Sequence, residues 1–412
     1  MSKRSLLSAV LALLVGVVAI TARGAGGQEG SLPIASESSA AVTVEQLQAA
    51  SPATGGQGAN YRPAGWHDPS NDATERFDAP AIETDLQARL GDRYAGMWGA
   101  GPKFKVAIVN PTVEDRRLVA AYGEVVPARF SLTQLEQWKD DATGVLSAAG
   151  GDFGVGVDLV ANHVVIDSNH AEAHRGAFEA KIPHDALDLH NSFHAVDTHT
   201  DRFHWLAYIV HQEAGLAVYF PDRNVGCTTG WYLWSSAYGP FGSSAGHCEG
   251  TGHPARAWDG VWQGTVNNNT DGNGTSSDAN VFSTNNISNY ARVQNQSSNH
   301  WGVMGQFSNT WPRSGESACW SGAVGSNTDV CGTVSRYDYT VTSDGTTRYH
   351  NYCVNVYSNP GDSGGPMYRL YSNGTVRAMG MLSTRVDGVG ACGSHIVHIL
   401  SATGMSLPTS PW

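Results

Sequence analysis

The chain has 412 residues, a length that predicts two folded units with additional tails rather than one core. Its formal net charge is −12 at pH 7, and the sequence contains no basic cluster. A clustered basic surface that could neutralise phosphates is therefore excluded, and we expect no nucleic-acid partner.

Residues 1–25 have the pattern of a secretory signal peptide. Lys3 and Arg4 precede an apolar run over residues 6–20, and small residues follow between 22 and 25. A membrane anchor is the alternative, but about fifteen apolar residues are short for a bilayer that requires roughly twenty. No later segment is long and apolar enough to span a membrane. We therefore predict a secreted, extracellular protein with no membrane partner.

A leader and a small domain are predicted to follow. Residues 26–75 are rich in Ala, Gly, Ser and Pro, and we interpret them as a flexible leader. Residues 76–167 contain no cysteine and are predicted to form a small α/β domain, in which Ser131 and Gln134 have the spacing of a capping box. The predicted elements are helices over 84–90 and from Ser131 towards Leu146, strands over 103–109 and 124–130, and two short strands within 155–166.

Residues 168–205 form a histidine-rich connector. The stretch 163–211 holds nine of the sixteen histidines but lacks an H-E-x-x-H spacing, so we predict a polar connector rather than a metal site. A third hypothesis is that protonation near pH 6 loosens the connector and makes its accessibility sensitive to acid. The histidines considered for these roles include His184, His190, His194, His199 and His204.

Residues 206–412 are predicted to form an all-β domain, either a sandwich or a barrel. Short β-prone segments such as 216–220 and 377–382 alternate there with clusters of Gly, Asn and Ser. The passage 267–277 is typical of an exposed loop and contains an N-x-T sequon at Asn268. All six cysteines lie in this domain, and export predicts disulfides, although six cysteines permit fifteen pairings.

The sequence Gly361-Asp362-Ser363-Gly364-Gly365-Pro366 is the strongest chemical signal in the chain. A serine between glycines can act as a nucleophile when a base removes its proton and a carboxylate orients that base. His247, beside Cys248, is the candidate base, and Asp278, directly before a β-prone run, is the candidate acid. Two other carboxylates between His247 and Ser363 remain alternatives for the acid, namely Asp259 and Asp271.

The order and wording of these motifs resemble the chymotrypsin-like serine proteases. The resemblance extends to the actinobacterial streptogrisin and α-lytic branch through 226–230, 319–322, 331–334 and the cysteines on either side of Ser363. It implies a trypsin-like double β-barrel over residues 206–412. It also implies three disulfides, which join Cys227 to Cys248, Cys319 to Cys331, and Cys353 to Cys392.

The cysteine-free domain is similar to the pro-regions of the same branch. The similarity lies in residues 94–98 and in the hairpin within 155–166. It implies a pro-region that assists folding of the catalytic domain and inhibits it until removed. The alternative is a second domain that stays attached as a binding or localising module.

The resemblance implies a secreted serine endopeptidase that hydrolyses peptide bonds through an acyl-enzyme intermediate. The backbone N–H groups of Gly361 and Ser363 are expected to form the oxyanion hole, and Asp362 is expected to be buried and paired. The expected partners are protein or peptide substrates and the chain's own pro-region. No cofactor motif is present, and triad chemistry needs neither a cofactor nor a metal.

The residues that set substrate preference depart from the family pattern. Ten positions separate Cys353 from Ser363, so Tyr352, Val354 and Tyr357 are only candidates for the pocket floor. After the nucleophile, Ser383 matches the family, whereas Thr384 and Arg385 do not. Arg385 either narrows the pocket and pairs with an acidic substrate side chain, or turns to solvent. These departures keep open a competing class, a secreted binding protein on a protease fold with weak or no activity.

Overall fold

The computed structural model describes residues 66–197, 211–257, 263–284, 288–294, 300–307, 311–324 and 329–409. The predicted signal peptide, the leader up to residue 65, the connector from 198 to 205 and Asp259 lie outside these residues. Within the described ranges, no helix is long and apolar enough to cross a membrane.

The N-terminal part of the described chain is an α/β unit with a three-stranded sheet. Its central strand pairs antiparallel with the first strand and parallel with the third. The strands are β1 (Tyr94–Ala100), β2 (Lys103–Val109) and β3 (Gly123–Ala128). The helices of the unit are α1 (Ala73–Arg76), α2 (Ala79–Leu90), α3 (Val113–Val119) and α4 (Leu132–Ala149).

Local signals account for where these helices begin. The predicted capping box is confirmed at α4, where the Ser131 hydroxyl accepts from the Gln134 N–H and the Gln134 side chain accepts from the Ser131 N–H. Helix α2 starts five residues before the predicted 84, because Asp78 caps the Ala81 N–H and a proline occupies the first turn. Strand β2 has the predicted bounds, whereas β3 ends before the predicted residue 130.

A hairpin connects this unit to the rest of the molecule. Strands β4 (Phe153–Asp158) and β5 (His163–Ser168) match the predicted pair, and Asn162 makes the turn with a φ of 60°. Three short elements follow, and they are α5 (Arg175–Glu179), β6 (Leu187–His190) and β7 (Ala195–Asp197). Strand β6 pairs with β5, and β4 and β7 each pair with a strand of the C-terminal barrel described below.

The first of two β-barrels follows the connector. Six strands pair antiparallel in a continuous curved path in the order β10, β9, β13, β14, β15, β12. The ends of this path meet where the Gly230 N–H donates to the Ser243 carbonyl at 2.6 Å. The strands, with β11 at the rim, are β9 (Ala217–Phe220), β10 (Val225–Thr228), β11 (Leu233–Ser235), β12 (Gly239–Ser244), β13 (Pro254–Ala257), β14 (Gln263–Asn269) and β15 (Asn280–Ser283).

The second barrel is closed by strand pairing alone. Its six strands form an antiparallel ring in the order β18, β19, β20, β23, β22, β21, and β21 pairs back with β18. They are β18 (Ser317–Trp320), β19 (Val330–Ser343), β20 (Thr346–Val354), β21 (Pro366–Leu370), β22 (Thr375–Val386) and β23 (Gly390–His395). The double barrel that the resemblance implied is therefore the architecture of this part of the chain.

Further elements extend the second barrel. A parallel contact joins β22 to β17, which continues through β16 to β8. These strands are β8 (His211–Ala214), β16 (Ser288–Gln294) and β17 (His300–Gln306), and the C-terminal helix is α6 (Ile396–Thr403). The cysteines pair within the barrels as Cys227–Cys248, Cys319–Cys331 and Cys353–Cys392, the pairs that the resemblance implied.

The α/β unit packs on the second barrel through buried ion pairs. Arg313 is 4% exposed and its guanidinium nitrogens lie 2.7 Å from the Glu83 carboxylate of α2. Arg369 is fully buried between Glu316 of its own barrel and Glu75 of α1, at 2.7 and 3.0 Å. Removal of one partner of such a pair leaves an uncompensated buried charge, so both partners are needed at this contact.

The prediction of an exposed loop over residues 267–277 is only partly right, since residues 270–277 form a loop but most of the passage is half-buried. Residues 267–269 belong to β14, and the loop that follows docks on β20 of the other barrel. The Gly274 N–H donates to the Thr347 carbonyl, and the Tyr349 N–H donates to the Thr275 carbonyl, both at 2.8 Å. The Asn- and Thr-rich composition suggested solvent, but Asn269 donates to the Gly246 carbonyl and Asn273 accepts from the Thr347 N–H, so these side chains satisfy backbone groups at the barrel junction.

Candidate active site

His247 lies at the end of the first barrel. It occupies a single 3-10 turn, Gly246–Cys248, directly after β12, and the Cys227–Cys248 disulfide anchors this turn to β10. The residue is 9% exposed. A Cβ on Gly246 would lie 2.5 Å from the Asp271 side chain and 2.9 Å from an Asp278 oxygen. Only glycine therefore leaves room for both acidic side chains beside this turn.

Asp278 orients His247 through two hydrogen bonds. The carboxylate precedes β15 and is fully buried. Its Oδ2 lies 2.7 Å from His247 Nδ1, and its Oδ1 accepts from the His247 backbone N–H at 2.9 Å. The Asp278 N–H donates to the Ser394 hydroxyl at 2.8 Å, so the second barrel helps to hold this acid in place.

Ser363 completes a hydrogen-bonded chain of three residues. Its Oγ lies 2.9 Å from His247 Nε2 and 3.1 Å from the Ser383 carbonyl oxygen. With the Nδ1 proton directed at Asp278, Nε2 is left with the lone pair that can accept the serine proton. The structure thus brings together the three residues that the sequence singled out, across the junction of the two barrels.

A tight turn carries Ser363 and the predicted oxyanion hole. Gly361 and Gly364 have φ values of 102° and 90°, which residues with a side chain rarely adopt. Thr228 of the first barrel donates its hydroxyl to the Gly361 carbonyl and its N–H to the Ser363 carbonyl, both at 2.7 Å. Asp362 is fully buried and accepts from the Asn359 N–H at 2.7 Å, which closes the turn.

The charge state of Asp278 follows from its surroundings. Burial by itself raises the pKa of this carboxyl, but the charges of His247 and Arg348 and the hydrogen bonds from His247 and Ser383 hold it well below its usual value. The Ser383 hydroxyl donates directly to Asp278 Oδ2. Asp278 is therefore a carboxylate over the whole range in which an imidazole titrates.

The two alternative acids have different outcomes. Asp259 lies outside the described residues. Asp271 lies beside Asp278 but points to Arg348, whose Nε and Nη2 reach its two oxygens at 2.8 and 3.2 Å. Burial and the nearby charge of Asp278 raise the pKa of Asp271. Of the two acids described, Asp278 is the one that contacts the imidazole.

The residues predicted for substrate preference lie along β22 and beside it. Ser383 is fully buried and its hydroxyl contacts Asp278, whereas the Thr384 hydroxyl donates to the Val196 carbonyl of β7 at 2.7 Å. Arg385 does not turn to solvent, since its side chain is 13% exposed and lies 4.3 Å from the centre of the Tyr357 ring. Its Nε contacts Asp387 at 3.1 Å.

A small cavity adjoins these residues. Its volume is about 240 Å³, and Tyr357, Arg385 and Asp387 contribute to its wall. Tyr352 and Val354 are buried in β20 and do not line it, whereas Tyr357 is 59% exposed. Of the three candidates for a pocket floor, Tyr357 alone is on this cavity.

Three of the described histidines of the connector contact carboxylates. His190 Nδ1 lies 2.7 Å from Asp167, His184 Nδ1 lies 2.8 Å from Glu179, and His194 Nδ1 lies 3.0 Å from Asp387 of the second barrel. His199 and His204 lie outside the described residues. Among the residues that the structure describes, no group of three or more metal-ligating side chains is present.

Sequence reasoning missed several residues that hold the site together. Thr228, Ser394 and Arg348 contact the nucleophile turn or the acid, yet each is more than 60 positions from its partner along the chain. Thr228 lies within the 226–230 motif, so the sequence contained a signal for its role. No local pattern marks Ser394 or Arg348.

Two antiparallel barrels with this triad at their junction define a chymotrypsin-like fold. Among solved structures the chain is similar to a Nocardiopsis protease (22% identity, TM-score 0.39, 48% of this chain and 98% of that chain). It is also similar to Thermobifida fusca protease A (21%, 0.38, 48% and 98%) and to a Cellulomonas bogoriensis chymotrypsin (23%, 0.37, 49% and 99%). No family model and no curated protein sequence matches the chain. Because these TM-scores lie below 0.5, the fold assignment rests on the strand topology and not on these likenesses.

Proposed function

We propose that the protein is a secreted serine endopeptidase that cleaves protein or peptide substrates through His247, Asp278 and Ser363. The observation that carries this proposal is the continuous hydrogen-bonded chain from Asp278 through both imidazole nitrogens to Ser363 Oγ, with links of 2.7 and 2.9 Å. Such a chain gives each group a defined role in acyl transfer.

The roles follow from the hydrogen bonds. His247 Nε2 takes the proton of Ser363 as Oγ attacks the peptide carbonyl, and Asp278 stabilises the imidazolium that forms. The imidazolium then protonates the leaving amine, and a water molecule, activated by the same nitrogen, releases the acyl-enzyme. The N–H groups of Gly361 and Ser363 bind the developing oxyanion, a contribution of about 3 to 4 kcal/mol for one donor in comparable enzymes.

The α/β unit, which was predicted over residues 76–167 and begins at α1 in the structure, acts in this proposal together with the connector as an inhibitory pro-region that also assists folding. Strand β7 supports inhibition, because it pairs antiparallel with β22 at Thr384, Arg385 and Val386, directly after Ser383. An extended substrate would need the same edge of β22 for its main-chain hydrogen bonds. Ser363 is also fully buried in this state. Active enzyme therefore requires removal of the unit, whereas a retained second domain would leave the mature N-terminus upstream of residue 76.

Substrate preference is assigned to the edge of β22 and the adjoining cavity. Ser383 and Thr384 present backbone to an extended peptide, and Arg385 contributes a positive charge that Asp387 partly balances at 3.1 Å. A preference for acidic side chains before the scissile bond follows if a substrate carboxylate displaces Asp387. A panel of peptides that vary at this position tests the idea, and equal cleavage of acidic and apolar residues contradicts it.

The decisive experiment is labelling of the processed, secreted protein with a fluorophosphonate. Wild type is expected to react at Ser363 because the triad makes this hydroxyl nucleophilic, and Ser363→Ala is expected to lose all labelling and peptidase activity. Ser236→Ala, which alters an exposed serine, is the matched control and should label like wild type. A processed wild-type protein that folds but does not label would favour the alternative, a secreted binding protein on a protease fold.

A further inference from the structure

Arg348 brings a positive charge from the second barrel to the acid of the first. It lies on β20, is 4% exposed, and its Nε is 3.7 Å from Asp278 Oδ2, the oxygen that also contacts His247. The described triad residues all come from other elements, so this charge is an addition to the hydrogen-bonded chain itself.

Asp271 supplies the opposing charge, and it contacts the same Arg348 Nε that lies near Asp278. Its two oxygens take Nε and Nη2 of Arg348 in a bidentate pair at 2.8 and 3.2 Å. The loop between β14 and β15 that carries Asp271 is fixed to β20 by backbone hydrogen bonds on either side of Arg348, at Thr347 and Tyr349. The geometry of the pair is therefore set by both barrels together.

We infer that Arg348 and Asp271 are positioning residues that set the proton affinity of the His247–Asp278 pair. This inference rests on the proposed peptidase function. Arg348 disfavours the imidazolium by partly neutralising Asp278, whereas Asp271 restores part of that stabilisation by neutralising Arg348. The three groups together contribute one net negative charge to the surroundings of the imidazolium.

The signs of the two effects are opposite, and this makes the inference testable. Without Arg348, two carboxylates face His247, so the imidazolium is favoured. The acid limb, which is the low-pH side of the pH–activity profile, then moves to higher pH. Without Asp271, the local charge is neutral, so the limb moves to lower pH. Loss of one of these buried unit charges is expected to shift the acid limb by about 0.5 to 1 pH unit.

Other charged groups near His247 are the same in all of these variants. Arg223 donates to the His247 carbonyl at 2.5 Å, and Glu249 is buried two residues further along the chain. Neither contacts Arg348 or Asp271 in the described structure, so they contribute a constant background. Among the described residues, Ser363, Ser383, Asp271 and Arg348 also face the imidazole or its acid.

The experiment compares the pH dependence of kcat/KM, and of the rate of fluorophosphonate labelling, in processed wild type and four variants. Arg348→Met is expected to move the acid limb up and Asp271→Asn to move it down, each by about 0.5 to 1 pH unit. The double variant should return to within about 0.3 pH unit of wild type, and Arg348→Lys should stay close to it.

A purely structural role predicts a different result, namely lower rates at every pH with an unmoved limb. Shifts in the same direction for Arg348→Met and Asp271→Asn, or no shift in either, would overturn the inference. Should Arg348→Met fail to fold, Asp271→Asn and Arg348→Lys still test the inference. The acid limb is expected to move in Asp271→Asn and to stay in place in Arg348→Lys.

A second readout separates this inference from the proposed function. In the Ser363→Ala background, the titration of the His247 ring is followed by NMR in full-length protein with and without Asp271→Asn. The midpoint is expected to fall with Asp271→Asn even if wild type proves to have no peptidase activity. An unmoved midpoint contradicts the inference and leaves the peptidase proposal intact.

Discussion

At the scale of single residues, burial and hydrogen bonding assign different tasks to chemically similar groups. Asp278 and Asp271 are both carboxylates beside Gly246, but the first contacts the imidazole and the second contacts Arg348. The pKa of Asp278 is held low by His247 and Arg348 against its burial, whereas burial and Asp278 raise the pKa of Asp271. Proximity to the base is therefore not enough to make a carboxylate its orienting acid.

Substitution of these two acids gives contrasting effects on turnover. Asp278→Asn is expected to lower kcat by about 10⁴-fold, because an amide favours the wrong imidazole tautomer and does not stabilise the imidazolium. Asp271→Asn, the matched control, is expected to retain more than about a tenth of the wild-type kcat at its own pH optimum. Comparable losses in the two variants would contradict the assignment of Asp278 as the acid.

A second residue-scale effect concerns stability towards acid. Burial lowers the pKa of His395 to about 4, with a smaller contribution in the same direction from His398. The hydrogen bond from His395 Nε2 to the Trp311 carbonyl, at 2.8 Å, opposes this shift, and its Nδ1 accepts from the Val397 N–H at 3.2 Å. In the unfolded chain the imidazole titrates near pH 6.5. Below that pH the unfolded state takes up a proton that the folded state refuses, so stability is present above about pH 6.5 and falls as pH falls towards 4.

The expected loss between pH 7 and pH 5 from His395 is about 2 kcal/mol of unfolding free energy. Denaturant unfolding at several pH values measures it. His395→Asn keeps a side chain that can cap helix α6 but removes the titration, so its unfolding free energy should fall by about 2 kcal/mol less over the same interval. Parallel pH profiles for wild type and the variant would rule out this role.

At the scale of elements, the connector is held against the second barrel by a few apolar side chains. Phe193 and Ala195 are buried with Tyr339 and Val386 and with the Cys353–Cys392 disulfide. Next to them, β7 occupies the edge of β22. Burial of Phe193 and the pairing of β7 are therefore coupled.

Phe193→Ala is expected to weaken the docking of β7 by about 3 kcal/mol and so to expose the triad before the precursor is cleaved. The rate of fluorophosphonate labelling of the uncleaved precursor should rise, because strand β7 leaves the edge of β22 more often. Val160→Ala, at a residue 57% exposed in the β4–β5 turn, is the control and should not change the rate. Equal labelling of Phe193→Ala and wild-type precursors would argue against inhibition by β7.

At the scale of the whole molecule, buried ion pairs join the α/β unit to the double barrel. Arg313 reaches Glu83 and Arg369 reaches Glu75 across the boundary between them. The described carboxylate partner of Arg313 lies in the α/β unit, and Arg369 has one partner there and one, Glu316, in its own barrel. The unit therefore contributes to the electrostatic balance of the barrel as well as to its apolar contacts.

Glu83→Ala is expected to destabilise the intact precursor by about 3 to 5 kcal/mol, because it leaves Arg313 buried without its carboxylate. Glu114→Ala removes an exposed ion pair with Arg117 and should change stability by less than about 1 kcal/mol. Denaturant unfolding and the yield of secreted protein measure both effects. A loss for Glu83→Ala no larger than that for Glu114→Ala would show that this pair contributes little to the assembly.

Secondary structure was most predictable where a local signal acts alone. The capping box of Ser131 and Gln134 and the bounds of β2 follow from short-range patterns and agree with the structure. The start of α2 was missed because its cap, Asp78, precedes the apolar pattern used to find the helix. The loop after β14 was misjudged because its polar side chains hydrogen-bond across a junction that no local pattern reveals.

The sequence by itself determined the nucleophile, its base and its acid as candidates, because the motifs around Ser363, His247 and Asp278 are local and ordered along the chain. Only the tertiary structure decided that Asp271 turns to Arg348, that Ser394 holds Asp278, and that β7 covers the edge of β22. Those contacts join residues that are far apart in sequence. Their strength depends on burial and distance, which arise only when the two barrels and the α/β unit pack together.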